Sequence, residues 1–187
     1  MKRPANIALL CGAAAVILSC IIMMNLLKKD TTMEILTGTY GGPIYRYRFD
    51  TESLEFTLLE KSEAENASYA IKDAVNIYAV SETGNASGAY SFSIDSPTVM
   101  TADKRQTGAD PCFIMKYDDK ILTADYSGGS ISIFPISVGA LGDCLQSLAF
   151  HGNGPVGSRQ ESSHIHQLKT IPLTDWILAS DLGADKI

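Results

Sequence analysis

The segment Ile35-Leu36-Thr37-Gly38-Thr39-Tyr40-Gly41-Gly42 returns as Ile121-Leu122-Thr123-Ala124-Asp125-Tyr126-Ser127-Gly128-Gly129, and weaker copies of its opening strand start at Ile77 and Ile177. Successive starts lie about 42, 44 and 56 residues apart. Between them, short runs with a two-residue period alternate with Gly, Asn, Asp and Ser clusters, and nothing after Thr31 carries helical periodicity. Tyr90, Phe92 and Ile94 alternate with Ser91 and Ser93, and Ile131 and Ile133 with Ser130 and Ser132, as strands with one buried face do. A hairpin of this kind buries little alone. Stacking successive units about an axis covers their faces and leaves only short edges. The chain is therefore expected to be all-β, with four-stranded blades of a β-propeller.

Length limits the blade count. At about 40 to 50 residues each, residues 31–187 supply about three to four blades, whereas propellers close with about four to eight. The expectation is an incomplete arc, the first part of a longer protein. The chain is 45% hydrophobic and 19% charged, which suits a globular fold. A formal net charge of −6 with no basic stripe excludes a broad nucleic-acid surface.

Residues 1–30 read as a separate unit. Lys2 and Arg3 precede an uncharged run from Ile7 to Leu27, long enough for an apolar helix that spans a bilayer, for which about 20 residues suffice. The same run fits a secretory signal peptide. Within it, Ile17-Leu18-Ser19-Cys20 resembles a bacterial lipobox, whose cleavage leaves a lipidated Cys20. Lys28 and Lys29 balance Lys2 and Arg3, so the flanking charges set no orientation. A membrane-anchored or exported protein is expected, or a cytoplasmic one if translation starts at Met33. Of the four cysteines, Cys11 and Cys20 fall in the apolar run, which leaves Cys112 and Cys144 as buried thiols and no disulfide framework.

Beyond the repeat, several stretches recur in a known order. They are Gly38-Thr39-Tyr40, Tyr45 to Asp50, Glu65-Asn66-Ala67-Ser68-Tyr69, Gly108-Ala109-Asp110-Pro111-Cys112, Ala124 to Ile136, Arg159-Gln160, His164-Ile165-His166 and Asp181-Leu182-Gly183-Ala184-Asp185. In order and spacing the chain resembles the seven-bladed β-propeller lactonase family, which contains propeller-type 6-phosphogluconolactonases and 3-carboxy-cis,cis-muconate lactonizing enzymes. The resemblance runs from Ile35 to the end and implies the first half of such a propeller, with the activity residing in the completed ring. Phe113 stands where the family usually has a histidine, and Ser163 where it usually has a proline.

Lactone hydrolysis needs water delivered to an ester carbonyl, a proton for the departing ring oxygen and positive charge for a substrate anion. His164 and His166, two apart on a strand, point the same way and bring two imidazoles to one place. That pattern alone also fits a polar patch at a blade edge or an unfilled metal pair; the resemblance favours catalysis. No third ligand joins them, so no metal and no cofactor are expected. Arg159 suits a phosphate or carboxylate, or is a loop arginine in solvent. Glu161 is a candidate to orient a histidine or act as base, or is simply solvated. Asp125 and Asp181 hold equivalent repeat positions; repetition favours a structural role for Asp125, and Asp181 is placed at the substrate. The resemblance implies hydrolysis of 6-phospho-D-glucono-1,5-lactone, a step of carbohydrate metabolism. The alternatives are a muconate-type lactonizing enzyme and a noncatalytic, membrane-tethered propeller that binds a ligand.

Overall fold

The computed structural model describes residues 30–94, 96–100, 104–137 and 140–187. Residues 7–27, expected to form an apolar helix, and Cys20 lie outside the described residues. In the first sheet β1 (Thr32–Thr37), β2 (Ile44–Asp50) and β3 (Phe56–Ser62) pair in that order. The second holds β4 (Ala70–Lys72), β5 (Asn76–Ser81), β6 (Gly88–Ser93) and β7 (Ser96–Met100), with β8 (Arg105–Gln106) also on β6. The third runs β9 (Pro111–Tyr117), β10 (Lys120–Asp125) and β11 (Ser130–Ser137), and β11 also pairs with β12 (Ala140–Leu141) and β13 (Gln146–Ala149). A fourth pairs β14 (Ile165–Thr170) with β15 (Ile177–Asp181). Every pairing is antiparallel. This is the expected all-β arc of a partial propeller, with two full blades between a three-stranded and a two-stranded one.

The repeat marks the second strand of each blade. Ile77, Ile121 and Ile177 sit opposite Lys72, Lys116 and Thr170 of β4, β9 and β14. On the other side, Ile35, Ile77 and Ile121 sit opposite Tyr47, Phe92 and Phe134. The strands β4, β9 and β14 neighbour one another and form the inner edge of the arc. Among the described residues, no strand holds that inner place beside β1.

Three apolar clusters correspond to the three junctions between blades. Ile44, Ala67, Ile77, Ala79 and Phe92 fill the first, Tyr78, Val80, Ile114, Ile121 and Phe134 the second, and Leu122, Ala124, Ile131, Ile165 and Leu168 the third. Ile77 and Ala79 of β5 thus face one neighbour and Tyr78 and Val80 the other, so the strand is buried on both sides. Full burial of a side chain such as Phe92 contributes about 2–3 kcal/mol. The one-sided burial expected from the serine alternation does not hold: Ser91 and Ser132 are buried as well. Stacking covers the polar face too, and serine is small enough to sit there with its hydroxyl bonded, as Ser132 is to Asp125 at 2.7 Å. The thiols also differ from expectation. Cys112 is half-buried and Cys144 exposed, because Cys144 lies in the loop ahead of the wholly exposed β13.

Candidate active site

Each inner strand is preceded by a residue that fastens its blade to the one before. Asn66, Asp110 and His164 hold this place. Their carbonyl oxygens accept the N–H of Glu82, Tyr126 and Leu182 at 3.2, 2.9 and 2.9 Å, closing each blade on itself. Their side chains reach back: Asn66 Oδ1 accepts from Gly41 N at 2.6 Å, Asp110 Oδ1 from Gly84 N at 2.7 Å, and His164 Nδ1 bonds Tyr126 O at 2.9 Å. A carbonyl only accepts, so His164 Nδ1 carries the hydrogen.

His164 is accordingly buried in a clasp. Its ring stacks on Tyr126, with centroids 4.4 Å apart, and its Nε2 lies 3.4 Å from Glu161. Its amide donates to Asp181 Oδ1 at 2.8 Å, alongside Ala184 N at 2.9 Å, while the Ser163 hydroxyl donates to Oδ2. Burial alone would raise the Asp181 carboxyl, but these donors together bring it below its ordinary value. Both Asp181 oxygens therefore serve the turn, as those of Asp125 serve theirs. Ser163, in the family's proline place, supplies one of these bonds. Gly183 permits the turn, since a Cβ there would collide with the Ser162 carbonyl oxygen.

Two residues after Asn66, Asp110 and His164 come Ser68, just ahead of β4, Cys112 on β9 and His166 on β14, at the inner edge of the arc. Facing them are the residues that follow the second strands: Tyr40, Glu82, Tyr126 and Leu182. The Ser68 hydroxyl donates to Glu82 Oε1. The Cys112 thiol lies 3.5 Å from His166 O, and the His166 ring meets Tyr126 edge-on at 5.8 Å. His166 is exposed and lines an open cleft of about 400 Å³ with Ser180, Asp181, Leu182, Asp185 and Lys186, so Asp181 borders the same cleft. The two histidines thus share Tyr126 but not an environment, one imidazole being enclosed and the other open to solvent.

The electrostatics of this mouth follow from partial burial. Burial pushes the Glu82 carboxyl up, and Asp110 adds to this, while Ser68, Tyr40 and His166 oppose it. The negative charge of Glu82 raises the Tyr40 phenol. Burial, then Glu82, pushes the Cys112 thiol up to about 11, so it is no nucleophile near neutral pH. Arg159 is exposed on the loop before β14, and its neighbour Gln160 pins that loop, accepting from Val156 N and donating to Leu182 O, both at 2.9 Å. Glu161 is exposed and reaches only the enclosed histidine. Sequence reasoning weighed side chains by type and so missed Glu82, Tyr40 and Tyr126; superposing the repeats one residue past Asp125 finds all three.

The family model described as Lactonase, 7-bladed beta-propeller matches residues 34–187. The chain belongs to this seven-bladed β-propeller lactonase family. It is 29% identical over 163 residues to the 6-phosphogluconolactonase of Bacillus subtilis, a match that covers 80% of this chain and 46% of that protein. A crystal structure of a candidate 6-phosphogluconolactonase from Bacteroides fragilis superposes with a TM-score of 0.78 at 35% identity, over 83% of this chain and 47% of the other. A second, from Bacteroides uniformis, gives 0.73 at 30% identity, over 84% and 49%. The chain spans about half the length of the lactonase relatives it matches.

Proposed function

We propose that this protein serves the hydrolysis of a sugar lactone, 6-phospho-D-glucono-1,5-lactone, in carbohydrate metabolism, and that the inner mouth of the arc is where the ring binds. The observation that carries the reading is an exposed imidazole, His166, at the inner edge of a lactonase-family propeller, set against Tyr126 and opening into a cleft. His166 takes a proton from water as the oxygen attacks the lactone carbonyl. The bond from acyl carbon to ring oxygen then breaks, and the proton returns to that oxygen as the open-chain acid leaves. Acid–base assistance of this kind contributes about 10²–10⁴-fold. The exposed guanidinium of Arg159 is free to hold the phosphate. His164 and Glu161 support the mouth from behind.

The reading is tested by lactone opening measured against buffer, with the 187-residue chain and with the same chain joined to the part of the Bacillus subtilis enzyme it does not match. Acceleration in the joined protein that falls at least a hundredfold in His166→Asn is expected, in line with a lost base worth about 10² or more. Rates equal to buffer in both forms overturn it.

A further inference from the structure

Glu82 faces the same mouth and has no part in the steps above. It follows β5 at the place that Tyr40 and Tyr126 hold in neighbouring repeats, so the same blade geometry delivers a carboxylate where they deliver phenols. Its backbone is fixed on both sides, the N–H donating to Asn66 O at 3.2 Å and the carbonyl accepting from Asn66 Nδ2. The side chain takes a hydrogen bond from the Ser68 hydroxyl, and the Tyr40 phenol bears on its charge. Among the described residues no Lys or Arg forms an ion pair with it. The groups that bear on its charge are Ser68, Tyr40, Asp110, Cys112 and His166, and of these only His166 can be positive.

A half-buried carboxylate without a cation accepts hydrogen bonds and repels anions. At a separation of about 6 Å and an effective dielectric constant of about 40, one further negative charge loses about tenfold in affinity. A ring hydroxyl, by contrast, gains a charge-assisted bond. We propose that Glu82 is a specificity-determining residue, which accepts hydrogen bonds from the hydroxyls of a polyhydroxy lactone and disfavours lactones that carry a carboxylate at the ring. This rests on the lactonase reading of the mouth, and it requires the substrate phosphate, on the exocyclic carbon, to lie away from Glu82.

The experiment is an NMR titration of the full chain and of Glu82→Gln with two probes: gluconolactam, an uncharged polyhydroxy ring that resists hydrolysis, and propane-1,3-disulfonate, an anion that does not titrate. The amides of Glu82 and His166 report binding. The wild type should prefer the lactam. Glu82→Gln should weaken the lactam several-fold and strengthen the doubly charged disulfonate by about tenfold or more, whereas Glu82→Asp, which keeps the charge, should preserve the wild-type order. An unchanged ratio in Glu82→Gln, or no lactam binding by the wild type, overturns the proposal. A measurement free of variants guards against misfolding: by linkage, saturating disulfonate should raise the proton affinity of the Glu82 carboxyl by about tenfold or more, read by carbonyl ¹³C shift, and an unmoved midpoint refutes the role. Absence of lactone turnover sinks the reaction above, while these binding results decide Glu82 separately.

Discussion

Replacing Asp125 asks whether the third blade depends on a buried acceptor or only on a side chain of that shape. The carboxylate is fully buried and receives Thr123 and Ser132 hydroxyls at 2.7 Å, Ser130 at 2.9 Å and Gly108 N at 3.0 Å. Asp125→Ala removes every acceptor at once. Hydrogen bonds to a charged group contribute about 1.5–3 kcal/mol each, but three of these donors are hydroxyls free to turn, and the Gly108 amide also reaches Ser132 at 3.1 Å, so the expected loss is about 3–5 kcal/mol. Asp125→Asn keeps the volume and one acceptor oxygen and should lose about 1–2 kcal/mol. The pH dependence fixes the sign. Burial raises the Asp125 carboxyl above 3.8, and Ser132, Thr123, Ser130 and Gly108 only partly offset it. With a raised folded-state value, the favourable contribution is fully present below the unfolded value and is lost as pH rises through the folded one. The Asp125→Asn deficit should therefore be larger at about pH 4 than at about pH 7. Urea unfolding followed by far-ultraviolet circular dichroism measures both quantities. An alanine variant within about 1 kcal/mol of wild type, or an asparagine deficit that grows toward neutral pH, refutes the reasoning.

The two histidines should separate cleanly. His164→Asn is expected to lower stability by about 1–2 kcal/mol through loss of a buried clasp, and His166→Asn to leave it within about 0.5 kcal/mol while slowing lactone opening in the joined protein about a hundredfold or more; the opposite pattern in urea melts and rate assays would reverse the assignment. Alkylation by iodoacetamide near neutral pH should modify exposed Cys144 and spare Cys112, whose thiol is half-buried and pushed up to about 11. Peptide mass spectrometry that finds Cys112 modified first would count against that environment.

Blade spacing was legible in the sequence because Ile35, Ile77, Ile121 and Ile177 pack in equivalent registers, and packing constrains residue type. The clasp was not legible. Asn66, Asp110 and His164 perform one task with three unlike side chains, since the task asks only for a polar group of sufficient reach. Nor did the spacing of His164 and His166 reveal that they part company. The pairing of β14 with β15 shifts register between Ile165 and Gln167, and such an irregularity re-aims side chains that a regular strand would align. Glu82 escaped notice for a related reason: its position holds Tyr, Glu, Tyr and Leu in successive repeats. A site assembled from one residue per blade is under no pressure to repeat a type, only a place.

The clasps also set how the arc comes apart. Each joins a blade to its predecessor and to no other, so the blades behave as links in series, with stability a sum of nearest-neighbour couplings rather than a property of one shared core. Cutting the link at Asn66 would loosen the first junction, left to the cluster around Ile44, Ile77 and Phe92, while the third and fourth sheets stay joined, and amide protection would fall in blade-sized blocks rather than all at once. The mouth, which draws Tyr40, Glu82, Tyr126 and His166 from four successive links, would then be the first feature to lose its shape and the last to regain it.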